Sequence, residues 1–309
     1  MAQASPARPA GMSLSGSGRR RRRETVVRVL FLAASLVTIV ISLFIVAAVL
    51  FEAIGFLSQI ELGQLFGIGW FPRRGIFDVT TIVIGTLIVT AIAMLIATPV
   101  GLFSAIYLSE YATPRFRRRV KPVLEVLAGI PSVVLGFFAL TLLTPAVIRP
   151  LFKEANSFNL AAAGIAVGIL SIPHVASVAE DAMRSVPHNL REASYGLGAR
   201  RITTSLRVVF PAAISGIVAA LILATSRAIG ETMVVAVAAG APQARTINPL
   251  DPGGTMTSAM VGLATGSDQV TGNSAAFQSL FFVGLLLFII TLVLNVVGDA
   301  FVRRARQRY

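Results

Sequence analysis

Long apolar segments, each on the scale of a bilayer crossing, alternate with short basic segments along this 309-residue chain. A membrane-spanning helix needs about 20 predominantly apolar residues. Segments of that kind lie at about 29–51, 79–109, 126–148, 155–179, 211–241 and 275–298. Charged residues make up 13% of the chain, whereas a soluble domain has about 25%. The sequence therefore predicts an all-α polytopic membrane protein with six transmembrane helices.

The positive charges follow the gaps between these segments in an alternating pattern. Arginine and lysine concentrate before the first segment, in the second and fourth gaps, and after the sixth segment, whereas the other gaps carry few of them. Basic residues are retained on the cytoplasmic side of a membrane. Both chain termini and the gap at 187–211 are therefore predicted to be cytoplasmic.

The chain divides into one permease domain and two polar ends. Residues 1–27 are predicted to form a disordered, basic, cytoplasmic tail, because their first part is rich in Ala, Ser, Gly and Pro. Residues 28–305 hold the membrane segments, and residues 303–309 form a second basic tail. The first apolar run is too long for the core of a signal peptide, so it is interpreted as an uncleaved span. The segment 242–271 is predicted to be an irregular loop that is either external or re-entrant.

Composition excludes several kinds of site. The chain has no cysteine, which rules out disulfides and thiolate metal sites. His174 and His188 stand alone without acidic partners at ligand spacing, so no metal site is predicted. No Gly-x-x-x-x-Gly-Lys-Ser/Thr sequence is present to hold ATP phosphates. The net charge of +13 comes from arginines grouped between apolar segments, which indicates topology rather than nucleic-acid binding. No catalytic residue and no cofactor are predicted.

The gap at 187–211 has the pattern of two short helices joined by a glycine turn. Asn189 and Glu192 have the spacing of a capping box, which favours a helix over about 190–197. Gly198 follows that helix, and glycine reaches positive φ at little steric cost. We therefore expect a sharp turn at Gly198.

A second short helix is predicted over about 200–209, with apolar residues on one face. Pro211 suits the start of the next membrane helix, where its missing N–H matters least. Local physics leaves two interpretations of the helix pair. It is either a surface amphipathic element lying on the lipid headgroups or a docking element for a soluble partner.

The spacing of this loop resembles a known family pattern. The sequence reads Glu192-Ala193-Ser194, three residues, Gly198, nine residues, then Val208-Val209-Phe210-Pro211. It is similar to the EAA loop of ABC importer permeases, with departures at Ser194, Val208 and Phe210. The resemblance implies a type I ABC importer permease fold with short cytoplasmic coupling helices. It also implies that Glu192, Ala193, Gly198 and Pro211 couple the chain to an ATPase.

Two further strings resemble phosphate permeases in particular. The string at 129–138 and the string at 226–233 look like the PstC type rather than its partner, the PstA type. The resemblance implies a phosphate importer in the bacterial plasma membrane, in which this chain is not itself an enzyme. The implied partners are a second, PstA-like permease, a PstB-like ATPase dimer that hydrolyses ATP, an external PstS-like phosphate-binding protein and membrane lipid.

The fifth apolar segment contains two charges, Arg227 and Glu231. A charge at bilayer depth costs at least about 2.5–3.5 kcal/mol on insertion scales, so such residues face a cavity or another helix. At a spacing of i, i+4 in a continuous helix they would share a face and pair. Two interpretations remain: a self-satisfied pair at a subunit interface, or a substrate path in which Arg227 meets an oxyanion beside Glu231 and Thr232.

Other functions remain open. A permease for sulfate or molybdate would use the same guanidinium chemistry. An ion-driven secondary transporter or a non-transporting membrane scaffold would not need the spacing of the 187–211 loop. Glu180 and Asp181, near the inner end of the fourth segment, either form part of a gate or pair with cytoplasmic arginines.

Overall fold

The computed structural model describes residues 18–67, 69–241, 245–266 and 275–305, and they are overwhelmingly helical. In chain order the helices are α1 (Gly18–Leu57), α2 (Val79–Ile106), α3 (Pro114–Ala128), α4 (Ser132–Phe138), α5 (Arg149–Leu151), α6 (Leu160–Arg184), α7 (His188–Gly196), α8 (Arg201–Thr204), α9 (Phe210–Ala212), α10 (Ile214–Ile229), α11 (Met233–Ala238), α12 (Met256–Ala264) and α13 (Ala275–Ala305). Three π-helical segments, Tyr107–Tyr111, Ala139–Ile148 and Ser205–Val209, continue α2, α4 and α8 without a break.

The prediction of six membrane-crossing helices is confirmed. Five helical segments are long and apolar enough to cross a membrane, namely Arg22–Leu57, Val79–Tyr111, Ser132–Leu151, Leu160–Arg184 and Ala275–Arg304. A sixth is formed if Arg201–Ala212 and Ile214–Ile229 are taken together, although they are bent by 71°. The fifth span is therefore not the continuous helix over 211–241 that the sequence predicts. It is bent at Ala213 and interrupted again at Gly230.

The polar ends differ in extent from the prediction. Helix α1 begins at Gly18 and takes in the arginine run, so the predicted disordered tail does not reach residue 27. Arginine is among the better helix formers, which allows the apolar helix to extend into this run. Residues 1–17 and 306–309 lie outside the described residues. The chain divides between Ala48 and Val49 into two compact units, and the described part of the first unit is helix.

Helices α2 and α6 form the centre of the second unit. A Cβ at Gly164 would meet Ile92, and one at Gly168 would lie 3.0 Å from the carbonyl oxygen of Ala93. Further along, a Cβ at Gly101 would lie 2.6 Å from Val175. Both chains advance together through these contacts, so α2 and α6 run in the same direction. Small residues allow this approach, because transmembrane helices associate mainly through close packing of their backbones.

A short hairpin and α12 cover the end of the bundle where α2 and α6 begin. Strands β1 (Trp70–Phe71) and β2 (Ile76–Phe77) pair antiparallel, and the buried Trp70 lies opposite Phe77. The predicted irregular segment 242–271 contains α12, which starts with a capping box at Thr255. The backbone N–H of Met256 donates to Thr86 Oγ1 at 3.0 Å, which attaches α12 to α2. Residues 242–244 and 267–271 of that segment lie outside the described residues.

Candidate functional site

The glycine turn of the 187–211 loop is confirmed. Gly198 has φ +77°, in the left-handed region. The N–H of Gly198 donates to the carbonyl of Tyr195, and the N–H of Ala199 donates to that of Ser194. These two bonds form a Schellman motif, which ends a helix by satisfying its last carbonyls. An L-residue at this φ is strained, so glycine is required by the backbone itself.

The turn presents its apex to the outside. Leu197, at the last turn of α7, is 90% exposed, and Glu192, Ala193 and Gly198 are exposed as well. The hydroxyl of Ser194 lies 2.9 Å from that of Thr204 on α8. This contact gives a structural reason for serine where the family pattern has alanine, since it joins the two short helices.

The predicted capping box of this loop is wrong. Helix α7 begins at His188 after Pro187, without a side-chain cap. Asn189 therefore lies inside the first turn, where its side chain is beyond the position that could cap the helix. The second helix starts at Arg201, close to the prediction, and Pro211 stands near the start of α9 rather than of the membrane helix.

Gly198→Ala is expected to destabilise the turn by about 1–2 kcal/mol, the cost of holding an L-residue in the left-handed region. Gly196→Ala is the matched control, because Gly196 is helical and an added Cβ there meets nothing within 4 Å. The control should be neutral or slightly stabilising, since alanine is the better helix former. Chemical denaturation of the purified protein in detergent measures both changes. Equal effects at the two positions would contradict the conformational requirement.

A buried ion pair attaches α7 to the end of α2. Arg191 Nη2 lies 2.9 Å from Glu110 Oε1, with side-chain exposures of 11% and 4%. The same guanidinium donates to the carbonyls of Met183 and Val186 at 2.8 and 2.7 Å. Partners on α2, on α6 and beyond α6 thus converge on one arginine of the loop. The sequence analysis used Arg191 only for topology, and no local spacing marks it as the partner of Glu110.

A second cluster surrounds Glu180, which is 1% exposed near the end of α6. Lys121 Nζ lies 3.1 Å from Glu180 and 2.5 Å from Asp181, and Arg117 Nε lies 3.5 Å from Glu180. Burial lowers the pKa of Lys121, but hydrogen bonds to Asp181 and Glu180 raise it more, so its net pKa is above the usual 10.5. Lys121 therefore stays protonated. The interpretation of Glu180 and Asp181 as partners of basic residues is confirmed.

The predicted pairing of Arg227 with Glu231 is wrong. Helix α10 ends at Ile229 with Gly230 as its C-cap, so the two residues are not on one continuous helical face. Within the described parts of the chain, Arg227 has no carboxylate within 4.0 Å. The exposed Arg227 instead reaches α6, where its Nη1 lies 2.7 Å from His174 Nε2.

Glu231 and Thr232 form the break between α10 and α11. Glu231 Oε1 accepts the backbone N–H of Val234 at 3.3 Å, and Thr257 Oγ1 on α12 donates to the Glu231 carbonyl at 2.7 Å. Gly230, Thr232 and Thr257 line a cavity of about 270 Å³ that is otherwise mainly apolar. Among the described residues, this cavity is not lined by Arg227. The structure thus brings Glu231 and Thr232 together at the break, with Arg227 on the preceding helical turn.

The two strings at 129–138 and 226–233 meet in space. A Cβ at Gly136 on α4 would lie 3.1 Å from Val234 Cα and 3.2 Å from the carbonyl oxygen of Met233. Glycine is needed there, because the backbones of α4 and α11 approach too closely for a side chain. The broken helix that follows Arg227 is therefore held against α4 on one side and α12 on the other.

Comparison with known proteins gives consistent results. Residues 97–309 match the family described as binding-protein-dependent transport system inner membrane component. A probable ABC transporter permease protein of Bacillus subtilis, YqgH, is 35% identical over 237 residues, which cover 76% of this chain and 74% of that protein. The phosphate transport system permease protein PstC 1 of Mycobacterium tuberculosis is 32% identical over 256 residues, covering 76% and 75%.

A solved structure shows the same fold. In a bacterial alginate ABC transporter, crystallised in complex with an alginate pentasaccharide-bound periplasmic protein, one chain superposes with a TM-score of 0.64 at 15% identity. The superposition covers 92% of this chain and 98% of that one. Together with the family match over residues 97–309, these findings show that the chain belongs to the inner-membrane permease components of binding-protein-dependent transport systems.

Proposed function

We propose that this chain is a permease subunit of an ATP-driven phosphate importer and forms half of its translocation path. It lies in the bacterial plasma membrane with both termini and the 187–211 loop on the cytoplasmic side. The alternating arginine pattern supports this orientation. The 32% identity to a phosphate permease over three quarters of both chains supports the substrate.

The exposed guanidinium of Arg227 is the observation that carries the proposal. It lies in the last two turns of an apolar span, and no carboxylate of the described residues neutralises it. A cation in that position is expensive, and it is stabilised when an anion is present. The planar guanidinium donates two parallel N–H groups to a phosphate, which suits oxyanion recognition. Glu231 and Thr232, at the break just beyond it, are the further residues of the proposed path.

The 187–211 loop is the proposed contact with the motor. Its rigid turn at Gly198 and the 90% exposed Leu197 form a protruding apex, which suits a groove on a soluble subunit. Glu192, Ala193, Gly198 and Pro211 are the proposed coupling residues. ATP hydrolysis belongs to a separate PstB-like dimer, a PstA-like permease supplies the other half of the path, and a PstS-like protein delivers phosphate on the outer face.

Reconstitution in proteoliposomes tests the proposal. The chain is combined with its candidate partner permease, ATPase and binding protein, and uptake of radiolabelled phosphate is compared with uptake of sulfate. ATP-dependent uptake of phosphate in preference to sulfate is the expected result. Preference for sulfate or molybdate would reassign the substrate, and uptake that persists without the ATPase would contradict the ATP-driven mechanism.

A further inference from the structure

The contact between His174 and Arg227 determines the tautomer of the histidine. A guanidinium only donates hydrogen bonds, so the Nε2 atom that lies 2.7 Å from Arg227 Nη1 accepts. The imidazole is then neutral and carries its proton on Nδ1. That Nδ1 atom is buried and has no hydrogen-bond partner among the described residues. The histidine thus serves Arg227 through one nitrogen while the other remains unsatisfied.

The backbones on both sides of this contact are fixed by close packing. Val175, next to His174, is fully buried against α2, where a Cβ at Gly101 would lie 2.6 Å from its side chain. On α10, Ala224 and Ala228 are buried to within 3%, and Ala224 belongs to the same apolar cluster as Val175. Neither helix can shift to bring another group to the guanidinium. The identity of residue 174 therefore decides how Arg227 is held.

A neutral acceptor and a carboxylate would hold Arg227 with opposite consequences. A carboxylate would pair with the guanidinium and cancel its charge, which would leave little attraction for an anion. The imidazole accepts one N–H, and the positive charge and the other four donors of the guanidinium remain available. We propose that His174 is a positioning residue that orients Arg227 without neutralising it, so that Arg227 can bind the transported oxyanion. This inference rests on the proposed function.

Four variants of His174, assayed in the reconstituted complex, separate the contributions. His174→Gln places an amide oxygen near the position of Nε2 and should keep the KM for phosphate within about twofold of wild type. His174→Asn is shorter and does not reach that position, and His174→Leu has no acceptor. Both should raise KM by about tenfold or more, the scale of losing a hydrogen bond to a charged group. His174→Glu should pair with Arg227 and abolish uptake.

Thermal unfolding of each complex distinguishes positioning from structural damage. His174→Glu should be at least as stable as wild type, because the new ion pair neutralises a cation, yet it should not transport. Transport at the wild-type rate by His174→Glu, or equal KM values for His174→Gln and His174→Leu, would overturn the inference. Should His174→Leu fail to assemble, the glutamine and glutamate variants still decide. Absence of phosphate uptake by the wild-type complex would instead contradict the proposed function.

Discussion

Replacing Arg227 by glutamine should lower phosphate uptake by at least about tenfold, since a hydrogen bond to a charged group contributes about 1.5–3 kcal/mol. The substitution keeps two donors and most of the side-chain volume but removes the charge that attracts the oxyanion. Arg227→Lys should fall between the two, because an ammonium keeps the charge but lacks the planar pair of donors. Initial rates of ATP-dependent uptake in proteoliposomes measure both effects.

Arg119→Gln is the matched control for the loss of one positive charge. Arg119 is exposed on α3 and lies outside the proposed path and loop, so uptake should be unchanged. The thermal stability of Arg227→Gln should equal or exceed that of wild type, because an uncompensated cation is removed from an apolar span. Wild-type uptake by Arg227→Gln would refute the role in the path. Normal uptake together with poor assembly would indicate that Arg227 serves a subunit interface.

Replacing Glu110 by alanine should lower the free energy of unfolding by about 3–5 kcal/mol, the range for removing one partner of a buried ion pair. The guanidinium of Arg191 would keep its two backbone carbonyls but lose its counter-charge in a site where both side chains are nearly inaccessible. Because this pair attaches α7 to the end of α2, ATP hydrolysis by the assembled complex should also become uncoupled from uptake. Denaturation in detergent and the ratio of phosphate transported to ATP hydrolysed measure the two effects.

Asp299→Ala provides the comparison for an exposed ion pair. Asp299 pairs with Arg303 one turn later on α13, and the two side chains are 59% and 67% exposed. Such pairs contribute about 0–1 kcal/mol, so stability and coupling should barely change. If the two aspartate and glutamate variants lost similar stability, the buried pair would not be what holds α7. If Glu110→Ala lost stability but kept full coupling, the pair would be structural only.

The elements that sequence reasoning predicted well depend on local rules. Long apolar runs predicted the membrane-crossing helices because a backbone in lipid must satisfy its own hydrogen bonds. Gly198 predicted the turn because left-handed backbone favours glycine wherever it occurs. The capping box failed for an equally local reason. The helix began one residue earlier than the pattern required, and the ends of helices are the least certain part of such predictions.

The candidate site shows where local rules end. The i, i+4 pairing of Arg227 with Glu231 assumed a continuous helix, but the break at Gly230 is held by contacts from α4 and α12 that lie far away in sequence. The partner actually found for Arg227 is His174, 53 residues earlier. The partner of Arg191 is 81 residues away. No spacing rule links such residues.

The sequence by itself determined the membrane class, the number of spans and the two-helix form of the 187–211 loop. Those features follow from hydrophobicity and backbone conformation, which each segment carries without its neighbours. Only the tertiary structure decided which charges are paired. The parallel packing of α2 and α6 brings Glu110 to Arg191, and the packing of α10 on α6 brings Arg227 to a neutral histidine rather than to a carboxylate. Charge pairing depends on distances of a few ångströms between helices, and those distances are set by side-chain packing across the whole bundle.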